Sequence, residues 1–304
     1  MLCFAGILGL STRVSAEAVR QDESELAQEL KTPLYKWASD SITPKGVVVA
    51  IHGFLLNGRS FESLARQLAA RGIVVVAPDL HGFGRWYHSP QKWPGGKTVD
   101  YSKSRQEIVA LLQTVRAKNP GLPVLCMGES MGANMSIRLA ARNPKLVDGL
   151  ILSSPCVVKR SVLFAPRTVV DVLLFLMAPW RQLNLEPYAK LYASDDPETL
   201  RNMMDDPLNR TKMSVCGLLR TLHMLKSSLA YTASMRSDIP VMVVEGSKDH
   251  LCSFPPVKNL VARLKTKDKA MYLARHGSHL LLETDNIEPE ISATIDNWLQ
   301  QKAP

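Results

Sequence analysis

The chain carries few of the marks that would place it in a special class. Its five cysteines include no C-x-x-C pair, which removes the usual zinc-ribbon and dithiol redox sites. Their wide spacing is not that of a disulfide-dense scaffold, so Cys126, Cys156, Cys216 and Cys252 read as buried free thiols. Nowhere do five or six like charges stand together, and no basic stripe alternates with aromatics, which make up only 6% of the residues; both absences argue against nucleic acid as a partner. A membrane span needs about 18 or more apolar residues in a row. The nearest candidate, Val162 to Trp180, is interrupted by Arg167, Asp171 and two prolines. No internal repeat, metal-ligand cluster or phosphate-cradling loop is visible, and "GFGRW" at 82–86 lacks the context and spacing of a dinucleotide site. The expectation is a chemistry that needs neither metal nor cofactor.

What is present is a chain of 304 residues, 46% apolar and 21% charged, enough to bury the core of one large globular domain. The net charge of +9 is spread through the sequence. It reads as a solvated basic surface that can also draw in anionic lipid or acidic substrate. Residues 1–16 read as a secretory signal: an apolar run from Leu2 to Leu10, a polar stretch, then Val14-Ser15-Ala16, although the basic start is missing. Cleavage there implies a secreted or periplasmic protein; without it the chain is cytoplasmic or membrane-associated.

Short β-branched runs alternate with helical patterns. The runs are "GVVVAI" at 46–51, "IVVVAP" at 73–78, "PVLCMG" at 123–128, "VDGLILSS" at 147–154, "PVMVVEGS" at 240–247 and "KAMYLA" at 269–274. Near-continuous apolar runs mark strands buried on both faces. Between them, stretches such as "RSFESLARQLAARG" repeat apolar residues at helical spacing, and Gly72 stops that helix. The pattern predicts an α/β fold, a mostly parallel sheet with helices on both faces. "LYKWASDSITPKG", before the first buried run, is expected to add an antiparallel edge hairpin. The rhythm fails between Cys156 and Arg236, which suggests a core of residues 30–155 and 237–304 interrupted by a helical insertion over 156–236.

One pentapeptide carries chemistry. "GESMG", Gly128 to Gly132, stands where an apolar strand ends and the helical "MGANMSIRLAARNP" begins. In a strand–turn–helix setting the central serine sits on a sharp bend at a helix N-terminus, and glycines let the neighbouring backbones close in. Ser130 is then a candidate nucleophile; a bystander serine in a glycine-rich turn is the plainer reading. A serine hydroxyl needs a base and an orienting acid, in the order Ser, Asp, His. Asp249 follows the run at 240–247, and His276 and His279 follow the run at 269–274. His279 is preferred because it directly precedes an apparently helical "LLLE", with His276 as fallback; Asp249 could also be a turn former. His52-Gly53 open the loop after the first buried run. His52 reads as a support for that loop, and the amides of Phe54 and Met131 are placed to form an oxyanion hole.

These segments together resemble the α/β-hydrolases, most closely the monoacylglycerol lipase and lysophospholipase group, which is also filed with serine aminopeptidases. The likeness runs from about Leu34 to the C-terminus. It rests on "PKGVVVAIHGF", "APDLHGFG", "GESMGANMSIRLA", "GSKDHLC" and "HGSHLLLE". It implies a hydrolase that cleaves carboxylic esters through an acyl-enzyme, acting on a monoacylglycerol- or lysophospholipid-like ester at or near a membrane surface. Ser130, Asp249 and His279 take the family's triad positions, and the insertion acts as a lid. Aminopeptidase, thioesterase or acyltransferase chemistry is the alternative, and a non-catalytic binding module a weaker one. Arg85-Trp86 and the loop "YHSPQKWPGGKTV" depart from the family pattern, as does the insertion, in which six of twelve methionines fall. All these regions are expected to shape the substrate pocket, although methionine also fills gaps in ordinary cores.

Overall fold

A computed structural model describes residues 18–157, 180–252 and 254–303. The signal reading at 1–16 and a helical stretch expected around 169–177 lie outside these residues. In chain order the first half contains β1 (Ala18–Gln21), α1 (Glu25–Leu30), β2 (Leu34–Ser39), β3 (Gly46–Ile51), α2 (Glu62–Ala69), β4 (Ile73–Pro78), α3 (Gly84–His88), α4 (Tyr101–Lys118), β5 (Val124–Glu129), α5 (Met131–Arg142) and β6 (Gly149–Ser153). From residue 180 come β7 (Gln182–Asn184), α6 (Glu186–Tyr192), α7 (Pro197–Asp205), β8 (Lys212–Ser214), α8 (Val215–Leu229), β9 (Val241–Gly246), α9 (Phe254–Arg263), β10 (Lys269–Ala274) and α10 (Pro289–Lys302).

Eight strands form one sheet in the order β1-β2-β4-β3-β5-β6-β9-β10. From β4 to β10 all pairings are parallel, while β2 runs antiparallel to both β1 and β4. The period-2 alternation of a strand divides its side chains between two cores. Val47, Val49 and Ile51 of β3 join the core under α4 and α5, whereas Val48 and Ala50 join the core under α2 and α10. Each wholly buried leucine, such as Leu64 and Leu68 of α2, contributes about 1.5–3 kcal/mol relative to leaving it exposed. The register sets the ends of the strands level: Ile51 pairs with Gly128, and Gly128 with Leu152. The loops that follow β3, β5, β6, β9 and β10 therefore open on one edge of the sheet, where parallel α/β folds bind ligands.

Three expectations are corrected. The "LYKWAS" segment is β2, an interior strand that pairs with β4; the edge is β1, which starts before the expected boundary at residue 30. "KAMYLA" is the other edge strand, β10, largely exposed because only β9 pairs with it. Its apolar residues reflect strand propensity more than burial. The part of 156–236 that is described is also not all helix, since β7 and β8 form a small antiparallel ribbon beside α6, α7 and α8.

The glycines around Ser130 show why the turn needs them. A Cβ on Gly132 would stand 1.8 Å from the Ile51 carbonyl oxygen, and one on Gly128 would stand 2.3 Å from the Gly132 carbonyl carbon. Both obstacles are backbone, so no side-chain movement relieves them. Gly132→Ala is expected to lower the unfolding free energy by about 3 kcal/mol or more, read as a fall in the urea midpoint. Gly121→Ala, with positive φ but nothing within 4 Å, should cost only about 1–2 kcal/mol.

Candidate active site

Ser130 follows β5 at the N-cap of α5 with φ 53° and ψ −115°. A non-glycine residue in this region is strained by about 1–3 kcal/mol, and the surrounding packing holds it there. The conformation turns Oγ away from the strand. His279 Nε2 lies 2.8 Å from that oxygen, and His279 Nδ1 lies 2.7 Å from Asp249 Oδ2. The other Asp249 oxygen accepts from the amides of Leu251 at 2.8 Å and Cys252 at 2.6 Å. The carboxylate is thus fixed at both oxygens before it meets the imidazole. All three residues are buried. Burial pulls the His279 pKa down, but the charge and hydrogen bond of Asp249 outweigh it and push it up to about 9.

His276, by contrast, is exposed. The preference for His279 therefore meets the geometry, but the reason given for it does not: residues 281–286 form bends, not a helix. Their amides are taken by a side chain. Glu129, inside the pentapeptide itself, is wholly buried and accepts from Leu281 N at 2.8 Å, Leu282 N at 3.0 Å, Glu283 N at 2.8 Å and Ser153 Oγ at 2.6 Å. Burial raises its pKa, and these donors pull it back. Glu283 Oε2 in turn accepts from Gly53 N at 2.8 Å. Burial, with the neighbouring Glu129 charge, pushes Glu283 well above the usual carboxylate range.

The first loop is held from a second side. Leu80 N donates to His52 Nε2 at 3.1 Å, which leaves the proton on Nδ1, 2.8 Å from the Gly53 carbonyl oxygen that accepts it. His52 is fully buried and its pKa is lowered by that burial. It bridges the loops after β3 and β4 through these two bonds. Phe54 and Met131 follow Gly53 and Ser130 directly, and no acceptor among the described residues engages either amide.

Above Ser130 and His279 opens a cavity of about 310 Å³. Its walls come from the loop after β3 and from the 180–236 region, chiefly Leu183, Leu185, Tyr188, Val215, Leu218 and Leu222. Among the described residues no carboxylate lines it. Leucines do the work expected of methionines: only Met203 reaches the cavity, while Met213, Met224 and Met235 are buried in packing. Met177 lies outside the described residues. Arg85 and Trp86 do not reach the cavity either. Arg85 Nε is 3.0 Å from the buried Asp79 and its guanidinium covers the Tyr35 ring at 3.9 Å, while Trp86 stacks on His81 at 4.2 Å. These contacts tie the N-terminal strands to the core, so the expected role of that departure in the pocket is withdrawn.

The thiols are divided more than expected. Cys126, Cys156 and Cys252 are buried but Cys216 is exposed. Cys252 brings its sulfur near Asp249 and His279, with potential ligand atoms of the three within 4.8 Å of one another. Both imidazole nitrogens are already engaged by Asp249 and Ser130, so hydrogen bonding accounts for the cluster and no metal is assigned. The glutamates were missed in the sequence although two were quoted with their motifs. Glu129 sits between Gly128 and Ser130, and Glu283 closes "HLLLE". Glu245, in β9, has neither oxygen hydrogen-bonded among the described residues and is pushed up to about 8 by burial and by the Asp249 charge.

Known proteins place this geometry. Over 236 residues the chain is 29% identical to the monoacylglycerol lipase of Mycolicibacterium smegmatis, covering 76% of this chain and 80% of that protein. The monoglyceride lipase of Homo sapiens is 26% identical over 265 residues, 86% of this chain and 84% of that one. Among solved structures, the monoacylglycerol lipase of Paleococcus ferrophilus superposes with a TM-score of 0.70 at 22% identity, over 94% of this chain and 99% of its own. The family described as serine aminopeptidase, S33, matches residues 42–286. The chain belongs to this serine aminopeptidase S33 family and has the α/β-hydrolase fold.

Proposed function

We propose that the protein hydrolyses esters of a single long acyl chain, monoacylglycerol- or lysophospholipid-like, through an acyl-enzyme on Ser130, with the region 156–236 capping the acyl pocket. In its coarser part the function is that of a carboxylic ester hydrolase. The observation that carries the finer reading is an apolar cavity that ends on a serine and histidine already hydrogen-bonded to each other. The cavity suits a hydrocarbon chain and excludes water around the reacting carbonyl. An aminopeptidase would need a negative group to hold a free amino terminus, and among the described residues none lines this pocket.

His279 Nε2 takes the proton as Ser130 Oγ bonds to the ester carbonyl carbon. The negative charge that develops on the carbonyl oxygen is met by the Phe54 and Met131 amides and by the N-terminal end of α5. When the tetrahedral species collapses, the carbon–oxygen bond to the alcohol breaks and His279 returns its proton to that oxygen. Water, deprotonated by the same imidazole, then attacks the acyl carbonyl; the bond from that carbon to Ser130 Oγ breaks, His279 returns the proton to Oγ, and the fatty acid leaves. Asp249 keeps the imidazole oriented and stabilises its charged form throughout. Glu129 and Glu283 are positioning residues: one holds the chain after His279 against the end of β5, and the other holds the Gly53 amide that leads into Phe54.

Labelling with a fluorophosphonate tests the nucleophile. Wild type should be modified at Ser130, and Ser130→Ala should escape labelling and lose at least about 10⁴-fold in ester turnover. A folded wild type that neither labels nor cleaves any ester in a chain-length series would overturn the proposal; preference for aminoacyl amides or thioesters would change the bond assigned. The base must be neutral to act. With the His279 pKa at about 9, the neutral fraction is roughly one hundredth at pH 7 and grows as pH rises. The kcat/KM profile should therefore climb towards about pH 9, and Asp249→Asn should move the midpoint to lower pH while cutting kcat by about 10⁴-fold. Glu129→Gln turns an amide group's two donors on the backbone donors of residues 281–283. Turnover should fall at least about tenfold with KM nearly unchanged, because small misplacements of a catalytic group cost up to about 10²-fold.

A further inference from the structure

Outside the catalytic pocket, three arginines gather between α4 and α5. A groove of about 420 Å³ there is lined by Ser102, Arg105, Gln106, Gln113, Arg138 and Arg142, among others, and, among the described residues, by no carboxylate. Arg138 and Arg142 stand one helical turn apart on α5, and Arg105 faces them from α4. Their hydrogen-bond partners are neutral hydroxyls. Arg142 donates to Tyr231 Oη through Nε at 3.1 Å and Nη2 at 2.7 Å; Arg138 donates to Ser227 Oγ at 3.1 Å; Arg105 reaches Ser102 Oγ at 3.4 Å. Both α5 guanidiniums also sit over the Tyr231 ring, 5.2 and 5.0 Å from its centre. Elsewhere Arg59, Arg85 and Arg116 each meet a carboxylate. Among the described residues, none of the three groove arginines forms an ion pair.

Three guanidiniums gathered without an ion-pair partner repel one another, and the crowding is felt: burial, then the charges of Arg138 and Arg142, lower the pKa of Arg105, with Tyr231 and Asp100 opposing. A fold keeps such an arrangement at a cost that a bound anion removes. Planar forks of N–H donors fit an oxyanion with several oxygens, which is the geometry of phosphate recognition by arginine. Position adds a second reason. Arg105 and Arg138 also line the adjoining groove with Arg220, His223, Leu219 and Asp100, whose Oδ1 is taken by the Ser102 and Lys103 amides, and Leu219 is at the same time a wall of the acyl cavity. Leu219, exposed and apolar, thus links the acyl cavity to the arginines.

We propose that the α4–α5 groove binds a phosphate group, either a free anion or the headgroup of an anionic phospholipid. Binding needs no chemistry at Ser130, so the proposal stands or falls apart from the ester hydrolase reading. The test compares wild type with Arg105→Gln/Arg138→Gln/Arg142→Gln, and with Lys258→Gln/Lys265→Gln/Lys267→Gln, which removes equal charge from exposed positions elsewhere. Two probes are used: inorganic phosphate titrated at constant ionic strength, and phosphatidylcholine vesicles with or without about one fifth phosphatidylglycerol. The arginine variant should lose at least about tenfold in affinity for one or both probes, with the lysine variant within about twofold of wild type. Loss for inorganic phosphate assigns a free anion; loss confined to phosphatidylglycerol vesicles assigns a lipid headgroup. Equal losses in the two variants, an arginine variant that binds like wild type, or a wild type that binds neither probe would each overturn the proposal. Turnover of a soluble short-chain ester, unchanged in both variants, reports the fold; the exposed single variant Arg142→Gln serves if the triple variant does not fold.

Discussion

The hydrogen bonds to one buried carboxylate hold the site together. Glu129 ends β5, yet its oxygens receive the amides of Leu281, Leu282 and Glu283 and the hydroxyl of Ser153. An uncompensated carboxylate at full burial is costly, and backbone amides without acceptors in a buried loop are costly too. Each requirement satisfies the other. Because Glu129 adjoins Ser130 and the amides follow His279 by two to four positions, the arrangement that relieves both also fixes the distance between the serine and the imidazole. Through Glu283 and the Gly53 amide the same network reaches the loop after β3.

Around this link the structure concentrates its strain and its polarity in a thin layer. The backbone at Ser130 adopts a conformation that few side-chain-bearing residues accept, and the Gly128–Gly132 contact leaves no space for an alternative. Below the layer lie the strands, apolar on both faces. Above it lies a cavity walled by leucine and tyrosine. In the proposed reaction, a charge that develops on a bound carbonyl oxygen would meet oriented amides in a medium of low polarity, where such dipoles act most strongly. The same dryness makes the balance at His279 delicate, with burial and Asp249 pulling its protonation in opposite directions.

Much of this was readable from local pattern. The runs at 46–51, 73–78 and 269–274 coincide with β3, β4 and β10, and the other buried runs agree to within a residue or two at their ends. Candidate residues were legible for the same reason: Ser130, Asp249 and His279 each stand just past such a run, and parallel strands bring their ends to one edge. The glutamates were harder. A buried acid has no sequence period, and Glu283 looked like the polar end of a helical "LLLE" because its true partners lie 154 and 230 residues away. Arg85-Trp86 misled in the opposite sense. An unusual pair beside a loop glycine suggested a pocket wall, and only packing shows it braced against Asp79, Tyr35 and His81.

By itself the sequence determined the α/β order of elements, the strain-tolerant turn at Gly128–Gly132 and the roster of serine, acid and histidine, because each depends on neighbours within about a turn or a strand. Tertiary structure alone decided which histidine faces Ser130, which acids are buried without a cation, and that leucines of residues 180–236 wall the cavity. It also decided that Arg105, Arg138 and Arg142 share one groove. Those outcomes follow from contacts between segments far apart in the chain, where hydrogen-bond satisfaction and close packing choose among arrangements that local propensity leaves equal.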